Sequence, residues 1–328
     1  MGERVAGRSW WRWTRRTVIG LCGVGLVLPA VLVVTRLGGW DDGTALALPV
    51  VLLPYAAVAT LLALGVLLAL RSWWAAGLAG LLAVVQLCWL VPRFVPEGGT
   101  VAADAPRLRV ATSNAYMGQV DADALVRLVR EQRVDVLAVE ELRGAAAAAL
   151  ERAGIAEVLP HRQLPPGRDT ALYSRLPLAP LDESAPAAAR AQVAAEVSVG
   201  GRTVRLTAVH TYYPLGDARR WSEDFAGLRA AAEGSTRDAV LLGDFNATLD
   251  HAPMRDLLAT GLTDTHAELG RGGSPTWPED NADFPRLPPM IQIDHVLHGK
   301  GLTAVAVSEH RVPGTDHRAV VAELAVTG

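Results

Sequence analysis

Long apolar runs without charge dominate the first 96 residues. Three such runs contain no Asp, Glu, Lys or Arg, and they cover residues 17–35, 44–70 and 75–91. Each run approaches or exceeds the roughly 20 apolar residues that a helix needs to cross a bilayer core. The pattern therefore predicts three transmembrane helices. A signal peptide is the alternative for the first run, but no small-residue cleavage site follows before Arg36 and two more runs come after it.

After residue 106 the pattern changes to short segments with strand and helix periods. Apolar and polar residues alternate in 107–116, leucines recur at helical spacing in 121–132, and 134–142 is again strand-like. Gly200-Gly201 separates two strand-like segments as a hairpin turn would. A further helix is predicted at 218–232, and strands are predicted at 292–298, 302–308 and 318–325. Because hairpins and crossovers both occur, we expect a mixed α/β layered domain.

These two patterns divide the chain into a membrane anchor, residues 1–96, and a second domain, residues 107–328. Residues 97–106 (EGGTVAADAP) form a Gly/Ala/Pro linker between them. Ten extended residues reach only about 35 Å, so the second domain is expected to work close to the membrane surface.

The distribution of arginine predicts the orientation of the anchor. Five arginines precede the first run and Arg71 lies between the second and third, whereas Asp41 and Asp42 follow the first run. The amino terminus is therefore expected in the cytoplasm and residues 107–328 outside. Seven of the nine tryptophans lie within the first 96 residues, as interfacial aromatic belts require. Both cysteines, Cys22 and Cys88, fall in predicted spans, so no disulfide is expected in the outer domain.

The charge of the second domain limits its partners. The chain has 31 basic and 34 acidic residues, of which 8 and 3 lie in residues 1–96, so the remainder carries a net charge of −8. A protein that binds long nucleic acid without sequence preference usually has a basic surface, so this balance disfavours nucleic acid as the natural partner.

Polar side chains repeatedly stand at the ends of the predicted strands of this domain, as in LLGDFNAT. They are Asn114, Glu140, Glu141, His210, Asp244, Asn246, Asp294, Asp316 and His317. Ligands gather at strand ends in layered α/β folds, so these positions are expected to converge. Carboxylates and carboxamides are hard oxygen ligands that suit Mg²⁺, and histidines can contact phosphate oxygens or transfer protons. Zinc-type Cys/His spacing, GxGxxG and GxxxxGK[ST] are absent from the sequence.

Seven motifs, in order, resemble those of the endonuclease/exonuclease/phosphatase superfamily of Mg²⁺-dependent phosphoesterases related to DNase I. They are SNAYMG, DVLAVEEL, TALYSR, AVHTYYP, LLGDFNAT, QIDHVL and GTDHRAV, spread over residues 107–325. The resemblance implies a four-layer α/β/β/α sandwich with the active site at one edge of the paired sheets.

The resemblance also implies a role for each residue. Glu141 is the main ligand of Mg²⁺, or of Mn²⁺ as the alternative ion, with Asn114 beside it and Asp316 as a further metal or water ligand. Asp244 orients or deprotonates the attacking water, and Asn246 holds the phosphate or metal. His317 donates to phosphoryl oxygens, Asp294 fixes its tautomer and raises its pKa, and His210 is the second histidine at the scissile phosphate.

Several assignments have structural alternatives. Asn114 could cap a turn, His210 could be an ordinary polar residue at a strand end, and Trp277 could be a packed surface residue instead of part of a substrate-side loop. Strand alternation places Glu140 and Glu141 on opposite faces, and the family pattern favours Glu141. His295 is taken as structural, and it stands where Tyr or Trp is common in the family.

The expected function is a membrane-anchored phosphoesterase, with the lipid bilayer and a lipid-linked phosphate as its partners. Tethering raises the local concentration of lipid phosphates relative to free DNA. Three spans before an outward phosphoesterase domain also resemble the actinobacterial teicoplanin-resistance membrane proteins. An extracytoplasmic metal-dependent nuclease is the alternative, and a non-catalytic envelope interaction protein is the third hypothesis.

Overall fold

The computed structural model describes residues 3–97, 99, 101–181, 192–234, 236–279 and 285–327. Helices form the first part of the chain. They are α1 (Glu3–Gly25), α2 (Val27–Gly38), α3 (Ala47–Val50), α4 (Leu53–Ala69) and α5 (Trp73–Leu90), followed by a 3-10 turn at Val91–Phe94.

Two apolar helical stretches of this part, Trp10–Gly38 and Trp73–Phe94, are long and apolar enough to cross a membrane. The first contains the break between α1 and α2 at Leu26. Pro29 follows three residues later and has no amide hydrogen for the carbonyl of residue 25, which accounts for the interruption.

The predicted span 44–70 differs from the observed structure. Pro49 and Pro54 divide the segment, and only α4, an apolar helix of 17 residues, remains of it. α3 instead lies against the second domain, where Ala47 is fully buried in a core cluster with Val209 and Trp221. The third transmembrane helix therefore stays a prediction.

Two six-stranded sheets form the second domain. Its strands are β1 (Arg107–Asn114), β2 (Val136–Glu140), β3 (His161–Gln163), β4 (Ala171–Ser174), β5 (Ala179–Pro180), β6 (Gln192–Val199), β7 (Arg202–His210), β8 (Ala239–Asp244), β9 (Leu262–Asp264), β10 (Asp294–Gly299), β11 (Leu302–Arg311) and β12 (Arg318–Val326). The sheet orders are β11-β12-β1-β2-β4-β3 and β5-β6-β7-β8-β10-β9. Parallel and antiparallel neighbours both occur, as the mixed pattern of the sequence predicted.

Helices cover the outer faces of the two sheets. They are α6 (Ala122–Glu131), α7 (Gly144–Arg152), α8 (Ile155–Val158), α9 (Pro214–Ala232), α10 (Ala252–Leu258) and α11 (Thr265–Glu268). One apolar core joins the inner faces of both sheets, for example Val110 with Leu206. Separate cores lie under α6 and α7 on one side and under α9 and α10 on the other. The layers are therefore helix, sheet, sheet and helix, in agreement with the expected sandwich.

The predicted hairpin is present between β6 and β7, with Val199 opposite Arg202. Gly200 and Gly201 have φ values of 59° and 80°, which two-residue hairpin turns require and which glycine adopts without strain. The helix predicted at 218–232 agrees with the main part of α9, because Asp217 is not helical (φ −159°, ψ 99°) and separates a first turn at Pro214 from the rest. Asp217 caps this main part, since its Oδ1 accepts from the amides of Arg219 and Arg220.

A set of polar contacts, here called the junction, fastens the helices to the second domain. Asp250, in the loop after β8, pairs with Arg36 of α2 at 3.1 Å and with Arg93 at 2.6 Å. Ala252 donates its amide to Asp41 at 2.7 Å, and Ser222 donates to Asp42 at 2.5 Å.

The predicted linker, residues 97–106, is hydrogen-bonded at both ends. Glu97 donates its amide to the carbonyl of Glu268, and Val326 donates to the carbonyl of Pro106. Together with the junction, these hydrogen bonds hold the second domain directly against the ends of the helices. The second domain is therefore closer to the helices than a fully extended linker would place it.

Candidate active site

The candidate active site lies where strands of both sheets end at one edge. β1 and β2 run parallel and end side by side, with Asn114 opposite Glu140. β7 and β8 also run parallel, and His210 pairs with Asp244 at their ends. Carboxyl ends of parallel strands meet at the same edge, so residues far apart in sequence become neighbours.

Two antiparallel strands begin at this same edge and add the remaining residues. β10 starts with Asp294 directly beside Asp244. β12 is antiparallel to β1 and starts just after Asp316 and His317. The structure therefore brings all eight residues predicted for the site to one edge of the sandwich.

Asp244 is the centre of the hydrogen-bond network. Its Oδ1 accepts from the backbone amide of Asn246 at 2.8 Å, and its Oδ2 accepts from the Asn114 side chain at 3.1 Å and the Asn246 side chain at 3.3 Å. Asn246 has a φ of 47°, so the chain turns back on itself directly after the strand. Burial raises the pKa of Asp244 to about 6, against the opposing charge of His317.

Gly243 allows β8 to lie close to β7 at this point. Its φ is 151°, and a Cβ added to it would lie 1.9 Å from the carbonyl oxygen of Val209. A side chain cannot be accommodated there, so glycine sets the position of the next residue, Asp244.

Asn114 and Glu141 form the second part of the network. Asn114 donates its side-chain amide to Glu141 Oε1 at 3.2 Å as well as to Asp244, and its own Oδ1 accepts from the Tyr116 amide at 2.8 Å. Glu141 Oε2 accepts from the Met117 amide at 2.7 Å, and the φ of Glu141 is 52°. Asn114 therefore bridges two carboxylates in addition to organising the turn that follows it.

Burial distinguishes the two neighbouring glutamates. Glu140 is fully buried between the sheets, where the Thr112 hydroxyl donates to it at 2.9 Å. Burial raises the pKa of Glu140 well above its ordinary value. Glu141 instead faces the edge and lies 3.7 Å from His210 Nε2. Of the two glutamates, Glu141 is therefore the one that lies among the other predicted site residues at the edge.

His317 is held between three carboxylates. Its Nδ1 lies 2.9 Å from Asp294 Oδ2, and its Nε2 lies 3.9 Å from both Asp244 Oδ2 and Asp316 Oδ1. Burial favours the neutral ring, but Asp294 and Asp244 outweigh it and raise the pKa of His317 to about 10. His317 is therefore a cationic donor whose orientation is fixed by Asp294.

His210 is a second cationic group of the edge and lies beside Glu141. Its Nδ1 lies 3.7 Å from Asp169 Oδ1, and its side chain is 17% exposed. Burial favours the neutral ring, but Asp169, Asp244 and Glu141 outweigh it and raise the pKa of His210 to about 9. Asp169 carried no specific signal in the sequence, because its role comes from a loop whose approach to β7 the sequence does not show.

Trp277 supports the site from a neighbouring loop. Its Nε1 donates to Asp316 Oδ2 at 3.0 Å, and the hydroxyl of Thr276 accepts from the Asp294 amide at 3.2 Å. The second oxygen of Asp316, Oδ1, is buried and accepts no hydrogen bond from the described residues. Trp277 is thus neither a purely surface residue nor a direct site residue, since it positions Asp316.

The residues of the edge fit a divalent metal ion. Ligand atoms of Asp244, Asp294 and His317 lie within 4.8 Å of one another. This set differs from the predicted ligands Asn114, Glu141 and Asp316, although the two groups touch through Asn114. The unpartnered oxygen of Asp316 and the predominance of carboxylates favour a hard cation.

A cleft of about 580 Å³ opens beside His210 and Glu141. Three arginines line it, namely Arg143, Arg168 and Arg220. Arg220 stacks over the ring of Tyr212 at 4.3 Å, and Tyr212 stacks on Tyr213 with ring centroids 4.8 Å apart. The sequence pattern does not indicate Arg143 or Arg220, because Arg143 lies in the loop between β2 and α7 and Arg220 lies on α9.

Comparisons with known proteins agree with this geometry. Residues 111–317 match the family described as the Endonuclease/Exonuclease/phosphatase family. A solved structure from Beutenbergia cavernae DSM 12333, described as an endonuclease/exonuclease/phosphatase, has a TM-score of 0.52 at 21% identity, covering 68% of this chain and 72% of its own. D. rerio TDP2, complexed with single strand DNA product, has a TM-score of 0.52 at 17% identity, covering 66% of this chain and 98% of its own. No curated protein matches the chain. The likenesses to these structures support the fold.

Proposed function

Because this chain belongs to the endonuclease/exonuclease/phosphatase family, we propose that it is a membrane-anchored, Mg²⁺-dependent phosphoesterase acting on a lipid-linked phosphate at the outer face of the membrane. The family consists of metal-dependent hydrolases of phosphoester bonds, so the enzyme class follows from membership. The anchoring, the ion and the substrate are parts of the proposal.

The chemistry of the proposal uses the residues of the edge. Asp244 takes a proton from the attacking water, because its raised pKa of about 6 suits a base near neutral pH. His317, cationic and oriented by Asp294, donates to a non-bridging phosphoryl oxygen. His210 faces the same phosphate from the other side and donates to the departing oxygen as the phosphorus–oxygen bond breaks. A Mg²⁺ ion held by Glu141, Asn114 and Asp316 would supply further charge neutralisation.

One observation carries the membrane part of the proposal. The loop after Asp244 continues directly into the junction, where Asp250 pairs with Arg36 and Arg93 at the ends of two apolar helices. His251 Nε2 also lies 3.0 Å from the carbonyl of Ala47. The candidate active edge is thereby close to the ends of helices that are long enough to cross a membrane.

The other end of the helices supports the proposed orientation. The Arg15 guanidinium donates to the carbonyl of Leu70 at 3.0 Å, so the start of the first apolar stretch lies beside the turn between α4 and α5. Arg71 lies in that turn, and Trp73 and Trp74 follow it with exposures of 67% and 72%. Arginines at the end away from the junction agree with a cytoplasmic side.

The cleft supports a phosphorylated substrate. The cleft is lined by four cationic groups, Arg143, Arg168, Arg220 and His210, and by three carboxylates, Glu141, Asp169 and Asp224. Its net charge is therefore about +1 in a domain whose net charge is negative. Such a cleft favours an anionic leaving portion, for example a second phosphate or a phosphorylated headgroup.

An extracytoplasmic nuclease is the second candidate, and one observation favours it. Tyr212 and Tyr213 are stacked at the cleft, and Tyr213 is 49% exposed, so a base could stack there.

The test uses the full-length protein reconstituted in lipid vesicles. Turnover of a polyprenyl phosphate ester, a sphingomyelin-type lipid and plasmid DNA would be measured with Mg²⁺ and with EDTA. We expect Mg²⁺-dependent lipid turnover that falls by at least about a hundredfold in Asp244→Asn and His317→Ala. DNA nicking without lipid turnover would replace the first candidate by the second, and full activity of both variants would refute the site.

A further inference from the structure

A groove of about 490 Å³ separates the apolar helices from the second domain. One wall consists of residues of α4 and the end of α5, including Val58, Leu61 and Leu90. The opposite wall consists of loops of the second domain, including Thr248, Met290 and Gln292. Tyr55 donates its hydroxyl to the carbonyl of Met290 at 2.6 Å, which holds the two walls together. We call this feature the junction groove.

The helix wall of the junction groove is apolar and accessible. Val58 is 57% exposed, Leu61 is 41% exposed and Phe94 is 55% exposed. An accessible apolar surface of this kind marks a site for a membrane or for an apolar ligand. The volume of the groove is also within the usual range of small-molecule sites.

The domain wall of the junction groove lies next to the reaction centre along two separate segments. Thr248 is two residues after Asn246, and Gln292 is two residues before Asp294. Two residues of extended chain span about 7 Å at most. A molecule in the groove therefore has one end close to the two segments that carry Asp244 and Asp294, and Asp294 in turn orients His317.

The same end of the junction groove has an excess of positive charge. Arg93 lines the groove, and Arg36 and Arg255 lie around the carboxylate that it binds. The three guanidinium groups are accompanied by two buried carboxylates, namely Asp250, which pairs with Arg36 and Arg93, and Asp41, which accepts from the amide of Ala252. The charge favours a ligand whose apolar part is joined to an anionic head.

We infer that the junction groove holds the hydrocarbon chain of the substrate while the phosphate of the same molecule occupies the active edge. This inference rests on the proposed function and specifies it, because it requires a long-chain phosphoester as the substrate. The occupant is the reacting molecule itself, since the groove opens between the apolar helices and the two segments that carry the reactive residues.

The test compares substrates of one chemistry that differ in chain length. Methyl, octyl and hexadecyl p-nitrophenyl phosphate would be hydrolysed by the full-length protein in vesicles with Mg²⁺. We expect kcat/KM to rise with chain length in the natural protein. Leu61→Trp, which fills the groove, should lower kcat/KM for the hexadecyl ester about tenfold, the loss for about two displaced methylenes. In the same variant, kcat/KM for the methyl ester should change less than about twofold, because the methyl group does not reach the groove.

Leu62→Trp is the matched control, because Leu62 is the next residue of α4, is 68% exposed and does not line the groove. It should keep the chain-length dependence of the natural protein. Activity that is independent of chain length would overturn the inference and leave the phosphoesterase in place. Absence of Mg²⁺-dependent hydrolysis of every ester would refute the proposed function, and the inference with it.

A second measurement does not depend on the folding of a variant. A hexadecyl phosphonate with a terminal diazirine would be photolysed with the natural protein in phosphatidylcholine vesicles, and the labelled peptides identified. We expect labelling of α4 or α5. An excess of the phosphonate without the diazirine should prevent this labelling, and additional phosphatidylcholine should not. If phosphatidylcholine prevented the labelling as well as the phosphonate does, the groove would hold ordinary bilayer lipid and the inference would be overturned.

Discussion

At the scale of single residues, Glu140 is a carboxylic acid in a position that has no access to water. It is fully buried and accepts hydrogen bonds from Thr112 at 2.9 and 3.0 Å. A protonated carboxylic acid resembles a neutral amide in shape and in hydrogen bonding, so Gln is a close substitute at this position.

We predict that Glu140→Gln is more stable than the natural protein at high pH and that this difference in unfolding free energy increases as pH rises. Because burial raises the pKa of Glu140 in the folded state, its contribution to stability is complete below the ordinary glutamate pKa of about 4.3 and declines as pH rises through the folded value. Gln has no proton to lose. The unfolding free energy, measured by thermal unfolding, should be similar for both proteins near pH 4. At pH 8 it should be higher for the variant by about 1 kcal/mol or more. Glu141→Gln is the control. It should lower activity, but its stability relative to the natural protein should not increase with pH in this way.

Gly243 gives a second prediction at this scale. In Gly243→Ala the new Cβ would overlap the carbonyl of Val209, and the backbone at φ 151° is unfavourable for alanine. We expect a loss of about 3 kcal/mol or more in unfolding free energy, or failure to fold. Gly144→Ala, where nothing lies within 4 Å of the added Cβ, should be neutral or slightly stabilising. Similar stability of the two variants would contradict this explanation of Gly243.

The sequence predicted which residues meet at this edge of the sandwich better than it predicted their contacts. Asp244, Asn246 and His317 could be predicted because strand period and motif order are local properties. Asp169 and Arg220 could not, because they reach the site through loop and helix positions that only tertiary packing determines. Burial likewise separates Glu140 from Glu141 more firmly than strand alternation alone.

At the scale of elements, the junction joins α2 and the 3-10 turn at Val91–Phe94 to the loop after β8. Asp250 has a side chain that is 1% exposed, and its partners Arg36 and Arg93 are 11% and 12% exposed. Burial opposes ionisation of Asp250, but the two arginines outweigh it and hold the pKa of Asp250 below its ordinary value.

We predict that Asp250→Asn weakens the attachment of the helices. Two buried guanidinium groups would lose their counter-charge, and the cost of breaking such a buried pair is about 3–5 kcal/mol. The loss should appear in thermal unfolding at neutral pH and diminish in acid, where the natural carboxylate is protonated as well. The control is Asp256→Asn, because the pair of Asp256 with Arg229 is about half exposed and contributes less than about 1 kcal/mol. Equal effects of the two variants would mean that the junction is not a buried ion pair in solution.

Element boundaries show where local pattern is insufficient. The uncharged run 44–70 gave one predicted span, but Ala47 packs in the core of the second domain and α4 begins only at Leu53. Hydrophobicity alone does not distinguish residues that face lipid from residues that face a protein core. The strands of the second domain were predicted more accurately, since turn residues such as Gly200 and Gly201 separate them.

At the scale of the whole molecule, the arginine-rich end of the helices and the second domain lie at opposite ends of the apolar stretches. One end carries Arg12, Arg15, Arg16 and Arg71, with no Asp or Glu near them in the sequence. At the other end Arg36 and Arg93 are paired with Asp250, so their charge is partly neutralised. The distribution supports, as a proposal, a cytoplasmic amino terminus and an outward catalytic domain.

We predict that alkaline phosphatase fused after Gly328 is active and that the same fusion after Ser72 is inactive, because this reporter folds only outside the cytoplasm. Ser72 lies in the turn between α4 and α5, at the end remote from the junction. Fusion after Gly43, in the loop that contacts the second domain, should also be active. The opposite pattern would place the catalytic domain in the cytoplasm and refute the orientation.

The junction also has a consequence for which molecules the enzyme can reach. Ser222, His251 and Met290 are all hydrogen-bonded to the helix part of the chain, so the active edge cannot move far from the helix ends. In a bilayer this arrangement would act as a ruler along the membrane normal. Two lipids with identical phosphoester chemistry would then be discriminated by the height at which each carries its phosphorus, and a thicker or thinner bilayer would change that choice without any change in the catalytic residues.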